Sequence, residues 1–293
     1  MLFNNNNTIY VEQHLWYNII KIFSWELIYM EIFAVANQKG GVSKTTTVQC
    51  IGAGLSHAGF KVLLIDLDPQ SNLTSICHAI SDAQDKNTVT MLEVLAKENS
   101  INDGIQHLDL FDIVPASMFL ASIDSRLTDQ MSRPYRLQSA LKELKGEYDY
   151  VLIDTPPALG TLTNNALVAA DYVIIPAQAD ILSLQGVSQL YETIESVKEH
   201  ANPSLKVSGI VLTRFQGRAN LTKEIVILFD AAAKQLKTVV FNSRIREAIA
   251  IKEAQAALTD IFTHDPKSNA AIDYAQLIKE IFDVDVLKKV SAK

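Results

Sequence analysis

The sequence predicts an α/β fold, a mostly parallel sheet with helices on both faces. Two patterns predict it. Short runs rich in Val, Ile and Leu recur at residues 32–36, 61–65, 110–114, 150–153, 172–175 and 207–212. Such runs lack polar alternation, as strands covered on both faces require. Between them lie segments of helical character at 45–58, 88–97, 135–144, 162–169, 184–200, 221–235 and 270–282. Strands that alternate with helices make βα units, and hence a parallel sheet. Ligands of such sheets sit outside the carboxyl ends of the strands, so chemistry is expected where the apolar runs stop.

The chain has 293 residues, 48% hydrophobic and 20% charged, enough for a sizeable core. No internal repeat or long linker divides it, so residues 30–293 read as one domain. Residues 1–29 differ in character. A polar run from Asn4 to Asn7 precedes an aromatic-rich stretch from Tyr10 to Tyr29, and Met30 stands directly before the first strand. The stretch lacks a basic start, and Glu12, Lys21 and Glu26 interrupt it, which argues against a signal peptide and a transmembrane helix. The expectation is an upstream extension, with an amphipathic docking appendage as the alternative. The formal charge of −7 means that any DNA contact must come from a local basic patch. Cys50 and Cys77 are too far apart for a CxxC motif and read as reduced thiols in the cytosol.

The first strand runs into Asn37-Gln38-Lys39-Gly40-Gly41-Val42-Ser43-Lys44-Thr45-Thr46-Thr47. The glycine pair permits a tight turn that points backbone N–H groups inward. A helix opening near Lys44 adds the positive end of its dipole. Lys44 offers a mobile positive charge for phosphates, and Thr45 a hydroxyl for Mg²⁺. The G-x-x-x-x-G-K-[ST] spacing fails at Gln38 and at Ser43. What stands instead is K-G-G-x-x-K-T-T, with Lys39 as an additional lysine. This resembles the deviant Walker A loop of the ParA/MinD group of P-loop ATPases. The resemblance implies that Lys39, Gly40, Gly41, Val42, Ser43, Lys44, Thr45 and Thr46 bind ATP. It further implies that Lys39 reaches across a dimer to the partner's nucleotide and acts as an arginine finger does. Ser43 stands where the family more often has glycine. That is harmless at negative φ and costly at positive φ.

Two more runs end in acids. Residues 62–65 lead into Asp66-Leu67-Asp68-Pro69-Gln70, whose carboxylates point the same way from one strand end. By resemblance to the family's D-x-D-P-Q motif, Asp68 orients the attacking water and Asp66 supports the Mg²⁺ shell. Residues 150–153 lead into Asp154-Thr155-Pro156-Pro157. An apolar strand ending in Asp is the Walker B arrangement, and D-T-P-P resembles the family's γ-phosphate switch. Lys39, Lys44 and Asp68 are thus the catalytic candidates, and Thr45, Asp66 and Asp154 the metal candidates. Thr213 and Arg214 lie where the family holds adenine, as do residues around Phe241 and Asn242. The resemblance spans roughly residues 31–282.

The family has several branches. A MinD-type protein binds membrane through a basic C-terminal helix. Here Glu280, Asp283 and Asp285 interrupt the tail, so a final helix packed on the core is the expectation. Neither cysteine suits a nitrogenase-like cluster, and Lys39 argues against biotin-pathway ligases. Residues 205–255 are locally basic, as sequence-independent DNA binding requires. Arg218 matches the family's DNA-contacting arginine, with Arg246 and Lys252 as further candidates. Only 38 residues precede Lys39, too few for an N-terminal helix-turn-helix domain. The resemblance therefore implies a compact, cytoplasmic and nucleoid-associated ATPase. It would hydrolyse ATP slowly with Mg²⁺, form an ATP-dependent homodimer, bind DNA non-specifically, and be stimulated by a ParB-like partner. A MinD-like membrane regulator and a nucleotide-binding scaffold with little hydrolysis are the alternatives.

Overall fold

The computed structural model describes residues 30–127, 131–216 and 220–290. The extension read at residues 1–29 therefore lies outside the described residues. The core is one eight-stranded sheet in the order β3-β4-β2-β5-β1-β6-β7-β8. Its strands are β1 (Glu31–Val35), β2 (Val62–Asp66), β3 (Gln106–His107), β4 (Asp112–Val114), β5 (Tyr150–Asp154), β6 (Tyr172–Gln178), β7 (Lys206–Phe215) and β8 (Val240–Arg246). Every pairing is parallel except the short β3–β4 edge hairpin. The main helices are α1 (Lys44–His57), α2 (Asn72–Ile76), α3 (Met91–Ala96), α4 (Arg136–Leu141), α5 (Thr161–Ala169), α6 (Ile181–His200), α7 (Asn220–Gln235), α8 (Ile249–Ala256), α9 (Asn269–Phe282) and α10 (Val286–Val290).

Both faces of the sheet are covered, which is why its strands read as continuous apolar runs. Leu63, Ile65, Val151, Ile153, Val173 and Ile175 enter one buried layer with α3 to α7. Their strand neighbours Val62, Leu64, Leu152 and Ile174 enter the other, with Val48, Ile51 and Leu55 of α1 and Tyr274 and Ile278 of α9. Burying each such side chain stabilises the fold by roughly 1.5–3 kcal/mol. Helix α1 lies close against α9: a Cβ at Gly54 would collide with Ile278 and come within 3.1 Å of Phe262. The apolar face of α9 is thus spent on the core, as the tail's acidic residues led one to expect. Among the described residues, no helix is long and apolar enough to cross a membrane.

The structure shifts several boundaries. Helix α6 starts at Ile181 rather than 184 because Asp180 caps it, accepting from Ser183 N at 2.8 Å. Helix α3 starts at Met91 because Thr90 and Glu93 close a capping box. Strand β8 escapes a search for apolar runs. Only Phe241, Ser243 and Ile245 are buried, so the strand alternates as an edge strand does.

Candidate functional site

Strand β1 lies between β5 and β6. Its carboxyl end is the switch point at which an open parallel sheet binds ligand. The loop that follows turns through two left-handed residues, Gly41 (φ 75°) and Ser43 (φ 67°). Serine at such an angle carries a Cβ penalty that glycine does not. Ser43 is therefore the costly case of the two that the sequence left open. Ser43→Gly is expected to stabilise the protein by about 1 kcal/mol, raising Tm by roughly 2 °C in a thermal melt. An unchanged or lower Tm would contradict the strain.

Side chains from three strand ends, those of β1, β6 and β7, converge on this loop. Buried Asn37 donates from Nδ2 to the Pro176 carbonyl at 2.7 Å and accepts from Lys39 N at 3.0 Å. Gln178, at the end of β6, donates from Nε2 to the Gly41 carbonyl at 3.0 Å. Thr213, near the end of β7, is fully buried and donates to the Val42 carbonyl at 3.0 Å, with the Ala177 carbonyl at 3.3 Å. Its hydroxyl is thus turned to the loop backbone. Arg214 beside it is exposed, with φ 48°. Asn242 is held by Glu280 of α9, and Arg244 is the β8 residue level with Leu212.

Lys39 is folded back onto its own chain. Its Nζ lies 2.6 Å from Asp180 Oδ2 and 3.5 Å from Gln178 Oε1. Lys44 is different: its buried Nζ reaches only the Lys39 carbonyl, at 3.4 Å, and makes no ion pair among the described residues. Burial pulls its ammonium below the ordinary lysine range, while Asp154 and Asp68 pull it back up.

The carboxylates come together because β2 and β5 pair with Asp66 opposite Asp154. Asp66 accepts from Asp68 N at 3.0 Å and from Thr74 N and Oγ1, each at 2.8 Å. Asp68 accepts from Gln70 N at 2.9 Å. Thr155 anchors the following loop by donating to the Val35 carbonyl at 2.9 Å. Neither oxygen of Asp154 has a hydrogen-bond partner, although both are buried. Burial, and then the Asp66 charge, raise the Asp154 carboxyl well above the ordinary carboxylate range, and the neighbouring Thr45 hydroxyl and Lys44 offset this in part. Asp66 is raised as well, chiefly by burial, against the hydrogen bonds it accepts.

Among the described residues, no cluster of three or more His, Cys, Asp or Glu could hold a metal ion alone. Magnesium does not require such a cage, since one or two protein oxygens, phosphates and water suffice. Two orphaned carboxylate oxygens beside a threonine hydroxyl and an ammonium fit a hard cation that arrives with a polyphosphate.

The structure thus gathers Lys39 to Thr46, Asp66, Asp68, Asp154 and Thr213 around one loop. Of the DNA-contact candidates, neither Arg246 nor Lys252 is among these residues. Arg218 is outside the described residues. Lys252 on α8 is exposed. Arg246 binds Asp273 of α9, with Nη2 at 2.6 Å and Nε at 2.9 and 3.2 Å, so one edge of its guanidinium is engaged. Motif reasoning missed Asn37, Thr74, Gln178 and Asp180. The last two stand at the carboxyl end of an apolar run, the same signal that marked Asp66 and Asp154.

The AAA domain family matches residues 30–207. The chain is 38% identical over 259 residues to the chromosome partitioning protein ParA of Myxococcus xanthus, covering 88% of this chain and 89% of that one. It is also 38% identical over 253 residues to the sporulation initiation inhibitor protein Soj of Bacillus subtilis, covering 86% and 98%. Among solved structures, cobyrinic acid a,c-diamide synthase from Mycobacterium smegmatis with ADP and magnesium is similar at TM-score 0.73 and 34% identity, covering 88% of this chain and 98% of that one. The ATP complex of a McdA variant from Cyanothece shares the fold at TM-score 0.77 and 24% identity, covering 87% and 97%. Sequence, sheet and the order of the phosphate-loop motifs agree, and the chain belongs to the ParA/MinD-type partition ATPases.

Proposed function

We propose that this protein is an ATP-dependent dimerising switch that binds DNA without sequence preference and partitions plasmid or chromosomal DNA with a ParB-like partner. The observation that carries this reading is the additional lysine, Lys39, at the mouth of a phosphate loop whose own Lys44 makes no ion pair among the described residues and beside which neither oxygen of Asp154 has a hydrogen-bond partner. The relative named chromosome partitioning protein ParA, similar over most of its length, supports the partition role.

In this reading the loop amides and Lys44 hold the phosphates of ATP. Thr45 and Asp154 would hold Mg²⁺, which would supply charge neutralisation for the phosphates. Asp66 serves that shell indirectly, by fixing the turn that carries Asp68, and Asp68 orients the attacking water. Lys39 leaves Asp180 and reaches the partner's nucleotide, so the dimer forms only with ATP. Dimerisation then joins basic residues of both chains, Arg218 and Lys252 foremost, into one surface for DNA phosphates. Hydrolysis is slow until the ParB-like partner stimulates it, and the dimer then releases.

DNA binding by wild type and Arg218→Glu, each without nucleotide, with ADP and with ATP at fixed salt, tests this reading. Wild type is expected to bind mixed-sequence DNA only with ATP. The variant is expected to lose at least about tenfold in affinity while still dimerising. Wild type that dimerises with ATP yet ignores DNA would overturn the partition role, and ATP-dependent flotation with liposomes would then favour a MinD-like one.

A further inference from the structure

We propose that Gln178 and Thr213 form a two-point clamp that holds the phosphate loop in its binding conformation, and that they are positioning residues for the nucleotide. The proposal rests on the reading of residues 39–46 as the phosphate site.

The argument begins with the peptide planes of the loop. A phosphate is held by N–H groups, and each peptide has its N–H and its carbonyl on opposite sides. Gly41 O shares a peptide with Val42 N, and Val42 O shares one with Ser43 N. Pinning the first carbonyl outward therefore turns the Val42 N–H inward. Pinning the second does the same for the Ser43 N–H. Gln178 Nε2 pins Gly41 O at 3.0 Å, and Thr213 Oγ1 pins Val42 O at 3.0 Å. Two successive carbonyls are thus held by two side chains.

The clamp is itself built into the sheet. Gln178 and Thr213 are direct partners in the β6–β7 pairing. Register partners of a parallel pair present their side chains to the same face. Gln178 is further fixed by its backbone N–H, which donates to Ser183 Oγ at 3.2 Å. Thr213 is fully buried, so no water can replace its hydroxyl. The loop needs such support. Its left-handed turns at Gly41 and Ser43 flank these two peptides, and the serine is strained there. Without the clamp, a flipped peptide would put a carbonyl oxygen where a phosphate oxygen must sit.

The test compares Thr213→Val, Thr213→Ser and Gln178→Leu with wild type. The readouts are Kd for Mg-ATP and Mg-ADP by calorimetry, KM and kcat for hydrolysis, and Tm without nucleotide. Thr213→Val keeps the shape and removes the donor. It is expected to weaken both nucleotides about tenfold, with the loss falling on KM rather than kcat. Thr213→Ser restores the hydroxyl and is expected to stay within about twofold of wild type. Gln178→Leu is expected to weaken both nucleotides about three- to fivefold, since water can partly replace a half-exposed amide. It also keeps the test open if Thr213→Val does not fold. Thr213→Val with wild-type Kd and only a lower Tm would overturn the clamp. So would Thr213→Ser as weak as the valine variant, or Gln178→Leu with wild-type affinity. Wild type that fails to bind Mg-ATP would instead overturn the phosphate-loop reading on which the clamp depends.

Discussion

Lys44→Met is expected to weaken ATP binding by at least about a hundredfold while leaving the nucleotide-free protein as stable as wild type, or more so. A charge-assisted contact in a desolvated site is worth roughly 2–5 kcal/mol when one partner is removed. Lys44 occupies such a site. It is buried, and without nucleotide its ammonium has one long contact, to the Lys39 carbonyl at 3.4 Å. A buried charge without a close counter-ion costs stability rather than adding it. Methionine fills the same space without that cost. The two effects separate in one thermal experiment. Wild type at a hundredfold excess of Mg-ATP over its Kd gains about 2.7 kcal/mol. The variant should gain at most about 0.4 kcal/mol with ATP at the same concentration, and show an unshifted or higher Tm without it. A variant that gains as much stability from Mg-ATP as wild type would refute the role of Lys44.

Asp154→Asn should have the second largest effect, and it carries a pH dependence whose sign follows from burial. The native carboxyl is raised above its unfolded value of about 3.9, so the folded state binds the proton more tightly than the unfolded chain. Stability then falls as pH rises from about 4 toward the native value, where the charged form becomes the cost of folding. The nucleotide-free wild type is therefore expected to be more stable near pH 5 than near pH 8, as far as this group decides. Asp154→Asn removes the charge and should add about 1–3 kcal/mol at pH 8 while flattening the slope. Asp66 shifts in the same direction, so part of the slope should remain. The same substitution replaces one orphaned oxygen by an amide nitrogen and takes the negative charge from the other. Magnesium-dependent hydrolysis is expected to fall by at least about a hundredfold. Denaturant melts from pH 5 to 8 check the first effect and phosphate release the second. A variant less stable than wild type at pH 8 would mean that the Asp154 charge is compensated after all.

Much of this site was legible from local pattern. Lys39, Lys44, Asp66, Asp68 and Asp154 all stand where an apolar run meets a turn, and parallel sheets place such positions together. Asp180 and Gln178 follow the same rule but carry no motif, so only the bonds they make disclose them. Strand β8 was missed because an edge strand has one covered face, which replaces a continuous apolar run by alternation. Arg246 and Lys252 looked alike in the sequence. In the fold both are exposed, but Arg246 is tied to Asp273, a difference that depends on a helix 27 residues away from Arg246.

By itself, the sequence determined the class of fold, the order of the strands covered on both faces, the glycine-rich loop and the acids at the strand ends. Those features depend on residues near one another in the chain, through hydrophobic period, glycine placement and helix start. The tertiary structure alone decided how each charge is compensated. Lys39 rests on Asp180, 141 residues away, and Thr213 supports Val42 across 171 residues, because β1, β6 and β7 are neighbours in the sheet. It also decided the sign of φ at Ser43, since the conformation a turn adopts is fixed by what its two ends are bonded to.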